Sequence, residues 1–259
     1  MPESIAKILN TSNTIRQLSS FESKCLYCGT QTQPHNIGGS LLANKCCPNC
    51  LAARTKADNL AKLREMRQAR QMRLTAKINV VIPPRYKQAR LCHLNQMLRN
   101  IMLSLPRHRG LMLTGPAGVG KTYAMAALIR FFLMLGRPVI RVGYDRLCLQ
   151  IRDAYKPAST RSEATIIREF ENIDALFIED LGTTVGDHSQ ESDWSLRTLL
   201  LILDYRLEHM KPTFITSNKT VEELGHSFDQ RVASRLYQAC QIIPVSGKDK
   251  RIKEALGEK

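Results

Sequence analysis

Long apolar runs are missing from this chain, and their absence removes a first class of function. The most apolar segments, "LRTLLLIL" and "AALIRFFLML", are too short or too interrupted to cross a bilayer. The opening "MPESIAKILN" lacks a basic stretch followed by an apolar one, so no secretory leader is expected. Aromatic residues are scarce, 6% against 43% apolar overall, the balance of a soluble α/β or helical protein. No segment recurs at a fixed period and no tract is of low complexity, which argues against a repeat architecture. Acidic residues are also few: 23 Asp and Glu stand against 38 Lys and Arg, a formal charge of +15. Self-repulsion of that size favours a polyanionic partner, although scattered surface lysines would give the same total. The expectation is a soluble cytoplasmic protein without membrane contact, its 259 residues enough for one domain and a smaller appendage.

Cysteine is present but clustered. Five of the eight lie between Cys25 and Cys50; Cys92, Cys148 and Cys240 stand alone and suit small buried apolar positions. Cys25-Leu-Tyr-Cys28 and Cys47-Pro-Asn-Cys50 make two C-x2-C pairs separated by eighteen residues. In a reducing cytosol such a cluster predicts metal rather than disulfides, and four thiolates in two chelating pairs predict Zn2+. Free thiols or a redox pair are the alternative. Nothing nearby offers an open coordination position or a general base, so the zinc is expected to be structural. Cys46 competes with Cys47 for one place, but only Cys47 completes the second C-x2-C. His35 is either a substitute ligand or a loop residue.

Composition divides the chain into a cysteine-bearing segment 1–54, a basic helical linker 55–78 and a core 79–259. The linker lacks Pro and Gly; Leu60, Leu63, Met66 and Met72 fall near one helical face and arginines cover much of the rest. Pro83 and Pro84 then end the helix. In the core, strand-like "GLMLT" (110–114), "RPVIRV" (137–142), "DALFIED" (174–180), "PTFITSN" (212–218) and "CQIIPVS" (240–246) alternate with helical patterns. Those patterns cover 121–135, 144–155, 162–172, 193–210 and 220–239. The alternation predicts an α/β fold, a mainly parallel sheet flanked by helices.

The turn between the first strand and its helix has the P-loop spacing G-x-x-x-x-G-K-T. It comprises Gly115, Pro116, Ala117, Gly118, Val119, Gly120, Lys121 and Thr122, followed by Tyr123. Glycines let successive N–H groups face phosphate oxygens at the positive end of a helix. Lys121 would reach the β- and γ-phosphates of ATP, and the Thr122 hydroxyl would bind Mg2+. The third strand ends in Glu179 and Asp180, carboxylates at the strand end where α/β sheets bind ligands. One would hold Mg2+ through its water shell, the other orient or deprotonate the attacking water. Asn218 ends the fourth strand, suited to orienting water or simply to starting a turn.

"GPAGVGKT", "FIEDLG", "DYRLEHMKPTFITSN" and "RVASRL", in that order, resemble the AAA+ ATPases of the DnaC/IstB type, bacterial helicase loaders and transposition helper ATPases. "VIPPRY" resembles the segment leading into that fold, and the resemblance covers residues 79–255. It implies an ATPase that assembles with copies of itself and remodels a macromolecule. It also implies Walker A roles for Lys121 and Thr122, Walker B roles for Glu179 and Asp180, and a sensor 1 role for Asn218. Arg235 would be the arginine finger reaching the neighbouring subunit's γ-phosphate, with Arg231 one turn earlier as the other candidate. Arg251 would be a sensor-2-like arginine. One departure stands out: Glu179 occupies the place usually held by Asp, and the shorter Asp180 follows. Each carboxylate is displaced by about one C–C bond, so nucleotide binding is expected ahead of fast turnover.

A cysteine-bound module before such a core resembles the DnaI type of loader, whose appended domain grips the replicative helicase. Loading of that helicase onto DNA is therefore the expected function. A transposition helper acting on a transposase, or a nucleotide-switched DNA adaptor with negligible hydrolysis, are the alternatives. The long segment 144–170 matches an insertion that contacts single-stranded DNA in DnaC-like proteins. Arg146, Arg152, Lys156 and Arg161 would follow phosphates there and Tyr155 would stack on bases, unless this is an ordinary solvated helix. The same two readings apply to Arg64, Arg67, Arg70 and Arg73 in the linker.

Overall fold

The computed structural model describes residues 23–33, 35–37, 40–42, 45–154, 156, 160–182 and 193–251. The chain forms two compact units, residues up to Met72 and from Arg73 onward, with the boundary inside one long helix. In the first unit β1 (Ser23–Lys24) pairs antiparallel with β2 (Gln31–Thr32), and β3 (His35–Ile37) with β4 (Ser40–Leu42). Strands this short bury too little apolar surface to hold themselves. The first C-x2-C lies in the turn joining β1 to β2, closed by Gly29 at φ 72° and its 2.9 Å bond to the Cys25 carbonyl.

The second C-x2-C starts helix α1 (Pro48–Val81). Pro48 takes the first helical position, where its missing N–H costs nothing, and Cys47 Sγ accepts from the Cys50 N–H at 3.4 Å. The helix expected over 55–78 therefore begins within the cysteine segment. It stops at Val81 because Pro83 and Pro84 follow. Leu60, Leu63, Met66 and Met72 are exposed, so along this stretch the helix shows no buried apolar stripe.

The second unit contains α2 (Gln96–Ser104), β5 (Gly110–Thr114), α3 (Lys121–Met134), β6 (Val139–Gly143), α4 (Tyr144–Asp153), α5 (Glu163–Asn172) and β7 (Ala175–Glu179). There follow α6 (Asp193–Glu208), β8 (Thr213–Ser217), α7 (Val221–Ser227), α8 (Gln230–Ala239) and β9 (Cys240–Pro244). The five strands β5–β9 form an all-parallel sheet in the order β6-β7-β8-β5-β9. In β5 and β7 the apolar residues run unbroken because both faces are covered. Leu111, Leu113, Phe177 and Phe214 pack on one face with α3 and with Ile78 and Ile82, while Met112, Leu176, Ile178 and Ile215 pack on the other with α4–α8.

The helix expected over 220–239 is two helices. Asp229 breaks it, since its Oδ1 caps α8 by accepting from Arg231 N–H at 2.6 Å. No helix among the described residues is long and apolar enough to cross a membrane.

Candidate functional site

The C-terminal ends of β5, β7 and β8 open into a cavity of about 550 Å3. Gly115, Gly118 and Gly120 all have positive φ, at 141°, 78° and 104°. At Gly115 a Cβ would stand 2.1 Å from the Val245 carbonyl oxygen, so only glycine lets the loop pass β9. The turn ends at α3, whose first residue is Lys121. That side chain is buried, and Nζ donates to the carbonyls of Gly115 at 2.6 Å and Pro116 at 2.8 Å and to Asn218 Oδ1 at 2.7 Å. Burial holds the ammonium below the usual lysine range; Asp180 opposes that shift and Arg251 adds to it.

The structure brings Ala117, Gly118, Gly120, Lys121, Thr122, Tyr123, Asp180, Asn218 and Arg251 to this one cavity. Val119 is buried behind it, lining a smaller adjoining cavity. Lys250, which belongs to no motif, also lines the site, and its N–H donates to the Gly118 carbonyl at 3.0 Å. Nothing local marks Lys250: it arrives because the segment after β9 folds back over the loop. Arg85 and Tyr86 come from the "PPRY" turn. His93 contributes Nδ1, 2.8 Å from the Tyr123 hydroxyl, with the two rings stacked. A surplus of cations together with the rings of Tyr86, His93 and Tyr123 suits an anionic ligand carrying a heteroaromatic group.

The two acids diverge. Asp180 is exposed at the cavity, held in a left-handed backbone conformation (φ 56°) with its N–H bonded to Thr216 Oγ1 at 3.0 Å. Glu179 is buried, and its Oε2 pairs with Arg141 on β6 while Oε1 meets no partner in the protein. Glu179 does not line the cavity itself; the Thr122 hydroxyl and the Asp180 carboxylate that do are hard-oxygen donors of the kind that fit Mg2+.

Arg235 does not line this cavity. It pairs with Asp204 of α6 at a half-exposed position of α8, and Arg231 binds Asp229. In the insertion, Lys156 pairs with Asp153 at 2.6 Å, Arg161 with Glu169 at 2.5 Å, and Arg152 lies over the Trp194 ring. Arg146 is exposed, as are Arg64, Arg67, Arg70 and Arg73 of α1; Tyr155 lies outside the described residues.

In the first unit the sulfur atoms of Cys25, Cys28, Cys47 and Cys50 lie within 4.8 Å of one another. Backbone N–H donors, chiefly that of Cys47, lower the Cys25 thiol to about 6, which suits a thiolate ligand. The four soft donors fit Zn2+. Cys46 is not one of the four; its Sγ donates to the Cys47 carbonyl oxygen at 3.6 Å and also neighbours the Cys25 thiol. His35 is on β3.

Comparisons with known proteins agree with this geometry. The family model "IstB-like ATP binding protein" matches residues 58–257. The replicative helicase loader DnaC of Escherichia coli K12 is 25% identical over 123 residues, 48% of this chain and 48% of that one. The chain thus spans about half the length of the curated relatives it matches. Among solved structures, DnaI superposes with a TM-score of 0.52 at 20% identity, covering 66% of this chain and 94% of that one. The replication initiator DnaA bound to AMPPCP and single-stranded DNA superposes at 0.54 with 17% identity, covering 68% and 56%. With a family model spanning both the phosphate loop and the acid-bearing strand, the chain belongs to the IstB-like ATP binding proteins, AAA+ P-loop ATPases of the IstB and DnaC type.

Proposed function

We propose that this chain is an ATP-dependent loader of a replicative helicase onto DNA, binding ATP with Mg2+ and single-stranded DNA and assembling with copies of itself. The observation that carries the reading is the cavity in which Lys121, Asp180, Asn218 and Arg251 converge on a glycine loop at the strand ends. Lys121 exchanges its present acceptors for β- and γ-phosphate oxygens, which Lys250 and Arg251 approach from the segment folded back on the loop. Thr122, Glu179 and Asp180 hold the cation and its water shell. When bound, Mg2+ neutralises phosphate charge. Asn218 orients the attacking water, and Tyr86, His93 and Tyr123 face the base. Arg235 serves the neighbouring subunit's site, which accords with its place outside its own cavity. Its ion pair with Asp204 is half-exposed, so exchanging it for a phosphate costs little.

DNA contact is assigned to the exposed cations, Arg146 in the insertion and the arginines of α1. A domain 1–54, folded around Zn2+, recruits the helicase; 55–78 links it to the 79–259 core. The setting is the cytoplasm, where thiolates stay reduced. A pull-down from nucleotide-loaded protein is expected to retain a replicative helicase. Failure to bind that helicase in the ATP-analogue, ADP and empty states would falsify this assignment. The match to the IstB model favours a second reading, a transposition helper. Retention of a transposase in the same assay would select it.

The four-cysteine reading makes its own prediction. Metal analysis should return about one zinc per chain. Cys50→Ser should lower that value below half and make the segment 23–50 cleavable by protease, because its strands cannot stand without the metal. Full protection in metal-free protein would overturn it.

A further inference from the structure

Arg141 carries no signal in the sequence, yet from the neighbouring strand it pairs with Glu179, the acid that ends β7. On the β6–β7 ladder Gly143 faces Glu179 and Arg141 faces Phe177, so Arg141 and Glu179 stand diagonally on the same face of the sheet. That face is the one covered by α3: the Phe177 ring meets Phe132 of α3 edge-on with centroids 5.9 Å apart. The same helix begins with Lys121 and Thr122.

Arg141 Nη2 donates to Glu179 Oε2. The Glu179 side chain is 7% exposed, and its Oε1, like the Arg141 Nε across the pair, is buried without a partner. An unpaired buried carboxylate oxygen is costly in a folded protein, and such atoms mark places where an ion or ordered water belongs. Burial pushes the Glu179 carboxyl up from its ordinary range, and Arg141 is the chief counterweight. A glutamate also has one more rotatable bond than the aspartate its position usually holds. Tying down one oxygen removes that freedom and leaves a single defined acceptor.

The geometry points to Arg141 as a positioning residue for the acid pair that ends β7, fixing the Glu179 carboxylate through Oε2 and leaving Oε1 as the oxygen available to the water shell of a metal-bound nucleotide. This rests on the nucleotide reading above. It explains how a Glu–Asp sequence can serve where Asp leads elsewhere: Arg141 restores the rigidity that the longer side chain gives up.

The test uses the full chain with ADP and measures Mn2+ affinity from the electron paramagnetic resonance of free Mn2+. Arg141→Met is expected to weaken Mn2+ binding about tenfold, with metal-free ADP affinity unchanged. Glu179→Gln should lose about as much, and the double variant no more than Glu179→Gln alone, because the two act as one unit. Wild-type Mn2+ affinity in Arg141→Met, or additive losses in the double variant, would overturn the proposal. Should Arg141→Met fail to fold, Arg141→Lys carries the comparison: a loss up to that of Glu179→Gln supports the proposal, wild-type affinity overturns it. If wild-type protein binds no ADP, the nucleotide reading falls and this proposal with it. ADP binding with Mn2+ affinity indifferent to Arg141 removes this proposal alone.

Discussion

Lys121→Ala is expected to lower ATP turnover by at least about 10²–10³ while leaving the folded state nearly as stable as before. The Lys121 ammonium is the deepest cation of the cavity and bonds three oxygens, at 2.6, 2.8 and 2.7 Å. A triphosphate replaces those acceptors with oxygens of full negative charge, and charge-assisted bonds of this kind are roughly twice as strong as neutral ones. Alanine removes the donor and its charge together. The Gly115 and Pro116 carbonyls and Asn218 Oδ1 then face an open cavity, where water can replace Nζ at little cost. The signature is therefore a split: phosphate release and nucleotide affinity collapse while the melting temperature without nucleotide moves by no more than a degree or two. Robust turnover in the variant would remove the phosphate-loop assignment. An equally large loss of stability would recast Lys121 as a structural strut.

The contrast between this residue and others shows what a sequence can disclose. The phosphate loop is local: glycines, lysine and threonine occupy consecutive positions whose roles follow from one turn and one helix. Strands β5 and β7 were legible for a related reason, since both faces of the sheet are covered and their apolar residues run unbroken. Helix α8 was legible as helix but not as a separate one, because a single Asp229 cap decides the break. Arg141 and Lys250 were not legible at all. Their importance comes from sheet order, which sets β6 beside β7, and from a return of the chain after β9. Neither leaves a periodic or compositional trace. The buried Glu179 and exposed Asp180 look equivalent as letters; only the left-handed turn at Asp180 separates them.

Arg206 is the extreme case, an arginine within "DYRLEHMK" that reads as ordinary helix surface yet is 1% exposed. All three nitrogens of its guanidinium donate inside the protein. Nη1 bonds the carbonyls of Phe170, Glu171 and Ile173 at 2.7, 3.2 and 2.9 Å; Nη2 bonds that of Pro212 at 2.7 Å, and Nε bonds Thr213 Oγ1 at 3.0 Å. Phe170 and Glu171 lie in the last turn of α5, where carbonyls have no partner within the helix. Arg206 thus caps α5, ties it to α6 and fixes the entry to β8, the strand that delivers Asn218 to the nucleotide. Burial lowers its pKa only to about 10, so it stays charged at neutral pH.

Arg206→Met fills the space but strands these acceptors. Unsatisfied buried carbonyls cost about 1–3 kcal/mol each, and partial relaxation leaves an expected net loss of about 3–5 kcal/mol. For a unit of this size that is a fall of roughly 10 °C in melting temperature. Arg206→Lys reaches fewer of the five acceptors and should lose about half as much. The exposed control Arg64→Met should change stability by no more than about 0.5 kcal/mol. A methionine variant that melts within two degrees of wild type would mean that water satisfies the α5 carbonyls and that the guanidinium cap is dispensable.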